Sequence, residues 1–578
     1  MEADAPLANH AAQYVIEPVA LPADAQASGP RPGDDGRDVP AQVARAGSWG
    51  LAGRTVLLLA NLGATPFTIR LLGPSAYGLW ALVQAVFLWA GLSEGGMGLG
   101  TTKYGAERYA SGDATGEARV VWSGLCFVLA ATSSVALALA LGAHLLLGLL
   151  NVRGSLLDAG AWALRVACAS LVVSSLAGVI NTAQQVRLRW RLYTLLNVAS
   201  NLLGAVGVPL AIYLFSGGVV TATAVGFFTS LLYLAGLSWD ALRLQPALRR
   251  PLVDRVTLRQ LVSYGGALTL ANLALVPLST GERFFLGANT STTAVAYYAV
   301  AMTIATTLQV LPEQIVSPLM PALSRLESEG RLEEHRALYA KTLSGLFLVV
   351  TPAAVLVAFL AKPFLTLWAG PTYGTHSTLV LLVALGGVWA NALAWVPGTY
   401  LRSAGKTKVL ALLQGAELAP YLGAAWVLTA RWGALGAAVV WSARLVLDSL
   451  AQFFIVRRLS HLPIVPLSAR RLRSLLAPVL LGLTCLATAS LRGGLLTRSA
   501  VGAVLLFAYG AAAWWLVLTA RERRGVANLL GEMLGPGLQI TRRCPTPTPK
   551  AQTWQVPLIF LTVMFIFVAF LILVSSAH

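Results

Sequence analysis

The chain of 578 residues is 56% hydrophobic and only 11% charged, with a formal net charge of +18. So small a polar fraction cannot cover a soluble core of this size, and lipid is the expected solvent. Apolar runs recur from Trp49 to Val574, each close to the roughly 20 residues a helix needs to cross the hydrocarbon layer. They lack the alternation of barrel strands, so the expected fold class is all-α, a polytopic membrane helical bundle.

Residues 1–45 are rich in Asp, Pro, Gly and Ala and have no signal-peptide core, which predicts a disordered cytoplasmic tail. Six spans follow in 46–258, near 49–71, 76–98, 120–149, 160–184, 192–214 and 219–240. Six more lie in 259–458, near 260–286, 292–318, 341–369, 375–400, 408–429 and 433–456. Spans at 475–491 and 496–520 occupy 459–525, completing fourteen. A basic linker over 526–552 carries Arg542, Arg543 and Pro545-Thr546-Pro547-Thr548-Pro549, and 553–578 holds an accessory span from Val556 to Val574.

The positive charge would also suit nucleic acid, so the placement of the basic residues decides. With the amino terminus inside, one set of loops holds Lys103, Arg108, Arg187, Arg189, Arg249, Arg250, Arg325, Arg336, Arg402, Lys406, Arg457 and Arg523. The opposite set holds only Arg153, Arg431, Arg492 and Arg498. This is the positive-inside pattern, which places both ends of the main bundle in the cytoplasm and excludes a nucleic-acid partner. Cys126, Cys168, Cys485 and Cys544 show no paired spacing, so neither disulfide nor metal site is expected.

Gly95-Gly96-Met97-Gly98-Leu99-Gly100 ends a membrane span with no strand before it, which argues for close packing or a hinge rather than dinucleotide binding. Gly405-Lys406-Thr407 resembles the close of a phosphate loop, yet Tyr400 stands where glycine is required. No cofactor and no nucleotide hydrolysis are expected.

The sequence repeats itself at an offset of 213 to 220 residues. Arg70-Leu71-Leu72-Gly73 with Ala76-Tyr77-Gly78-Leu79-Trp80 corresponds to Arg283-Phe284-Phe285-Leu286-Gly287 with Ala296-Tyr297-Tyr298-Ala299-Val300. The stretch from Glu94 to Asp113 corresponds to the one from Glu313 through Glu327, and Leu195-Leu196-Asn197 to Gly207 corresponds to Leu412-Leu413-Gln414 to Ala424. Two pseudo-symmetric six-helix lobes are therefore expected, plus two further helices and an extra C-terminal one. Six is even, so both copies enter from the same side and their axis lies along the membrane normal.

At these residues the chain resembles the Wzx-type flippases of the multidrug/oligosaccharidyl-lipid/polysaccharide superfamily, over about 50–520. The recognisable pieces are the segments from Leu72 to Trp80, Glu94 to Gly100, Leu319 to Leu326 and Arg431 to Ala438. Glu94 departs from the Asp expected in relatives, and the C-terminal helix has no counterpart. The resemblance implies an inner-membrane transporter, not an enzyme, with a V-shaped pair of lobes that flips an undecaprenyl-pyrophosphate-linked oligosaccharide by alternating access. The implied partners are that lipid-linked oligosaccharide, membrane lipid, a coupling H+ or Na+, and a polysaccharide polymerase with glycosyltransferases. A multidrug exporter is the near alternative; a membrane glycan polymerase would need a large outer loop, and none is expected.

Ionisable residues inside spans are costly and by default face a cavity or a partner. Arg54, Arg70 and Arg283 are candidates for binding a pyrophosphate, whose oxygens suit a guanidinium; snorkelling to headgroups is the plain alternative. Glu417 and Asp448 are candidates for ion coupling, with Asp448 able to pair with Arg444 four residues earlier on one helix face. Glu94 and Glu313, expected at the cytoplasmic ends of their spans, are candidates for gating.

Overall fold

A computed structural model of the chain describes residues 39–460 and 495–512. Every regular element among them is helical. In chain order they are α1 (Val39–Ala90), α2 (Met97–Ala110), α3 (Ala114–Leu141), α4 (Ala143–Leu149), α5 (Ser155–Ile180), α6 (Thr182–Val186), α7 (Trp190–Phe215) and α8 (Val219–Leu244). Then come α9 (Arg255–Asn289), α10 (Thr292–Thr307), α11 (Val310–Val316), α12 (Leu319–Ser328), α13 (Leu332–Trp368), α14 (Pro371–His376), α15 (Thr378–Ser403), α16 (Thr407–Ser460) and α17 (Leu495–Ala512).

Nine helical stretches among the described residues are long and apolar enough to cross a membrane. Two of them are double passes, because α1 folds back at Gly73 and α16 at Gly433, where φ is 75° and 55°. Glycine carries no Cβ to oppose that left-handed backbone, so Leu72-Gly73-Pro74 and Trp432-Gly433-Ala434 turn within a single residue. With α9 the described core crosses twelve times, as two six-helix lobes. The protein is thus a multi-pass membrane protein, and α17 covers part of the fourteenth expected span. The tail through residue 38, the spans at 475–491 and 556–574 and the linker between them lie outside the described residues.

Local chemistry sets the helix starts. The carboxylate of Asp113 accepts from the Gly116 N–H at the head of α3, and that of Asp254 accepts from the Thr257 N–H and hydroxyl at the head of α9. These bonds hold both carboxyls below their usual range, chiefly through the Gly116 N–H for Asp113 and the Thr257 hydroxyl for Asp254.

The passes alternate between two ends. One, here the basic end, holds the turns at 111–113, 187–189, 245–254, 329–331 and 404–406; the other, the neutral end, holds Gly73, 142–154, 216–218, 290–291, 369–377 and Gly433. The outward faces stay apolar, with Leu141, Leu145, Phe215 and Phe228 all more than half exposed, as lipid contact requires. With no hydrophobic force between helices in lipid, small residues and buried polar bonds carry the packing. Gly124 of α3 rests on Thr101 of α2, whose hydroxyl bonds that of Thr182 on α6 at 2.8 Å.

One buried cluster runs across both lobes, from Leu79, Leu82 and Leu164 to Tyr298, Trp368 and Trp441. Where it crosses, Ser75 Oγ and Thr293 Oγ1 lie 2.9 Å apart. They are 218 residues apart in sequence, and each lies just ahead of a corresponding pass, Ser75 before Ala76 and Thr293 before Ala296. The two lobes therefore meet at the neutral end.

Candidate substrate-handling site

The lobes close on each other at that end. Gly78 lies so near the Thr292 carbonyl that a Cβ on it would come within 1.7 Å of the oxygen. Arg70 donates from NH2 to the Leu367 carbonyl at 2.7 Å, and the Trp368 indole donates to the Leu62 carbonyl at 2.9 Å. Aromatic rings pack at the same end: half-buried Tyr297, the repeat equivalent of Tyr77, meets buried Tyr373 edge-on at 5.3 Å, and His376 stacks on Tyr297 at 4.7 Å. Arg70 thus acts as a strut between the lobes, although its side chain remains exposed.

Away from the neutral end, α9 joins the lobes. Its first turns sit on the N-terminal lobe, where Gly265 would strike the Gly95 carbonyl if it carried a Cβ and Tyr264 meets Tyr104 at 5.9 Å. Its later turns sit on α16, where Asn289 donates to the Trp426 carbonyl and Arg444 NH1 donates to the Leu278 carbonyl.

The later turns of α9 carry two adjacent charges with opposite surroundings. Glu282 is fully buried; its Oε1 accepts from the Tyr298 hydroxyl at 2.9 Å and its Oε2 from the Tyr421 hydroxyl at 2.5 Å. Arg283 is partly exposed, and its Nε has no hydrogen-bond partner. One turn earlier on the same side of α9, Thr280 accepts from the Trp89 indole of the N-terminal lobe, so Arg283 looks across to that lobe. Adjacent side chains on a helix point in different directions, yet Arg283 Nε stands 3.9 Å from Glu282 Oε1, an ion pair too long for a hydrogen bond.

The expected pairing on α16 is corrected. Arg444 bonds Glu417 at 3.2 Å across the two arms of the bent helix rather than Asp448 on its own turn. Asp448 accepts instead from Gln452 at 2.9 Å, with Oδ1 unpartnered, and lies within reach of Glu417. The bend at Gly433 folds the two arms side by side, a contact that helical spacing within one arm cannot reveal. One guanidinium thus faces two carboxyls.

The gating candidates are also corrected in place. Glu94 ends a 3-10 turn, and Gly95 and Gly96, both left-handed, kink the pass, which then continues through α2. Its Oε1 rests against Gly98 and Gly178 of its own lobe. Glu313 sits in short α11, with α12 still to come. Both carboxyls therefore mark breaks within a pass rather than its end. The side chain of Arg54 lies outside the described residues.

Two structural ion pairs at the basic end were not legible beforehand. Glu117, 1% exposed, takes a bidentate grip from Arg187 at 2.6 and 3.0 Å, and Arg189 reaches buried Asp240 at 3.3 Å. Among the described residues no group of three or more His, Cys, Asp or Glu is placed to hold a metal ion.

Residues 68–378 match a family described as polysaccharide biosynthesis proteins. A candidate O-antigen transporter of Shigella flexneri is 30% identical over 194 residues, 34% of this chain and 46% of that protein, so the match spans about half of that relative's length. Among solved structures, the lipid II flippase MurJ in an inward closed conformation aligns with a TM-score of 0.60 at 14% identity, covering 82% of this chain and 99% of that one. An inward-facing multidrug resistance MATE transporter of the MOP superfamily aligns at 0.56 and 17% identity, covering 70% and 94%. At such identities these likenesses establish the fold.

Proposed function

The chain belongs to the polysaccharide biosynthesis protein family and has the fold of a MOP-superfamily transporter and of a lipid II flippase, and from that premise we propose that it flips an undecaprenyl-pyrophosphate-linked oligosaccharide across the inner membrane for surface polysaccharide synthesis. The positive-inside asymmetry puts the basic end in the cytoplasm and the neutral end outside. The lobes meet at the neutral end, so on this reading the state is one closed to the outside. Alternating access then requires the Ser75–Thr293 seam to part while the inner ends of the lobes approach, with Glu94 and Glu313 at the breaks where those ends bend.

The observation that carries the reading is Arg283, a partly exposed guanidinium facing the opposite lobe just inside the closed end. A pyrophosphate entering a water-poor cavity loses hydration and needs fixed positive partners. Arg54, near the start of the first pass, is the second candidate, while Arg70 supports the site as a strut. The cluster of Glu417, Arg444 and Asp448 offers one positive charge to two carboxyls, so it holds either a net negative charge or a proton. That excess makes it the place for a coupling H+ or Na+.

The test is complementation of a strain lacking this transporter. Arg283→Ala and Arg54→Ala, inserted at parental levels, are expected to leave lipid-linked glycan on the inner face, with Arg54→Lys a partial rescue for want of the planar fork. Full complementation by both alanine variants would remove the cationic site.

A further inference from the structure

The repeat isolates one device that a single lobe possesses. In the alignment, Glu282 corresponds to Ile69, Tyr298 to Gly78 and Tyr421 to Gly204. All three members of the buried knot are therefore absent from the N-terminal lobe, where an isoleucine and two glycines stand. The two arginines beside them differ as well: Arg70, after Ile69, donates one N–H to the Leu367 carbonyl across the lobes, whereas Arg283, after Glu282, has a buried Nε with no hydrogen-bond partner. A carboxylate in place of isoleucine in a dry helix interface is costly unless its charge and its lone pairs are answered. Two tyrosine hydroxyls answer the lone pairs, one on each oxygen. Arg283 answers the charge from 3.9 Å, close enough for Coulomb attraction but outside hydrogen-bond reach.

We infer that Glu282 is a positioning residue for Arg283: pinned by Tyr298 and Tyr421, its carboxylate balances the guanidinium without a hydrogen bond to it, which leaves the exposed part of the guanidinium for the phosphate oxygens of the cargo. This rests on the reading of Arg283 as the anion-binding group. The knot also limits the grip. A fixed negative charge behind the guanidinium weakens its hold on a pyrophosphate, so that the headgroup is released once the lobes change position. The tyrosines keep that charge from swinging forward: without the Tyr421 hydroxyl, Oε2 is free to turn to Arg283 and compete with the cargo.

Binding of undecaprenyl pyrophosphate to the full chain in nanodiscs tests this, because two variants of one knot must move affinity in opposite directions. Glu282→Gln, which keeps an acceptor for a tyrosine and removes the charge, is expected to tighten binding about tenfold, the effect of about 1.4 kcal/mol, and to slow turnover. Tyr421→Phe is expected to weaken binding several-fold, and Glu282→Asp to restore affinity towards that of the parent. Thermal unfolding measured alongside separates these effects from loss of fold. If both variants shift affinity the same way, in step with their melting temperatures, or leave it unchanged, Glu282 is a packing element and the inference fails. Arg283→Gln serves as the control for the underlying reading: weakened binding there keeps Arg283 as the anion group even if Glu282 proves structural, whereas parental binding removes both.

Discussion

Gly78→Ala adds one methyl group at the point where the lobes meet. Its Cβ would lie 1.7 Å from the Thr292 carbonyl oxygen, against at least 3.4 Å for ordinary contact, so the two helices must part by about 1.7 Å. The obstacle is backbone, which no side-chain rotation relieves. That movement takes the Ser75–Thr293 bond, 2.9 Å in the closed state, out of range. The lost bond costs about 1 kcal/mol and the overpacking about 1–3 kcal/mol, together a roughly 30- to 700-fold shift away from closure at this end. Spin labels on Leu145 and Thr372, both exposed on opposite lobes at the neutral end, report the separation by pulsed resonance. The variant should show a longer-distance population with a nearly parental melting temperature. Identical distance distributions in parent and variant would refute the argument that the lobes close at this contact.

Replacing either partner of the Glu117–Arg187 pair strands a buried charge, so Glu117→Leu alone should cost about 3–5 kcal/mol of stability while Glu117→Leu with Arg187→Met recovers most of it; thermal unfolding in detergent reads both. Glu417→Gln should slow transport in reconstituted vesicles and flatten its response to an imposed pH or sodium gradient, while Glu313→Gln keeps that response; a Glu417→Gln protein that follows both gradients like the parent would leave Glu417 a packing residue. The caps of α3 and α9 depend on carboxylates held below their ordinary range, so their contribution is full above about pH 4 and fades as pH falls through the lowered values. Amide exchange in the first turns of α3 and α9 should quicken only in that acid window.

The sequence made the architecture legible because membrane helices announce themselves locally. Length and apolarity marked the passes, the short gaps at 72–75 and 430–432 marked two tight turns, and the repeat marked the two lobes. The partners of the charged groups were not legible, for a physical reason. A span-internal charge is satisfied by whatever the neighbouring helix offers, and Arg444 with Glu417, or Glu117 with Arg187, join residues from different passes. Helical spacing offered Arg444 a partner on its own turn, Asp448, while the fold supplied Glu417 from the other arm. Glu282 escaped notice as a site residue because the tyrosines that hold it come from two other helices. One signal was available: it aligns with an isoleucine in the first repeat, a charge against an apolar residue where the flanking arginines agree.

Translocation itself tests the central claim most directly. The protein, reconstituted into vesicles carrying an undecaprenyl-pyrophosphate-linked oligosaccharide with its glycan on the face apposed to the basic end, should deliver that glycan to the opposite face. A membrane-impermeant glycosidase or lectin would detect the arrival, which Arg283→Ala should abolish or greatly slow. Glycan that stays on its original face with folded, correctly oriented protein, or that crosses equally well with Arg283→Ala, would contradict the account.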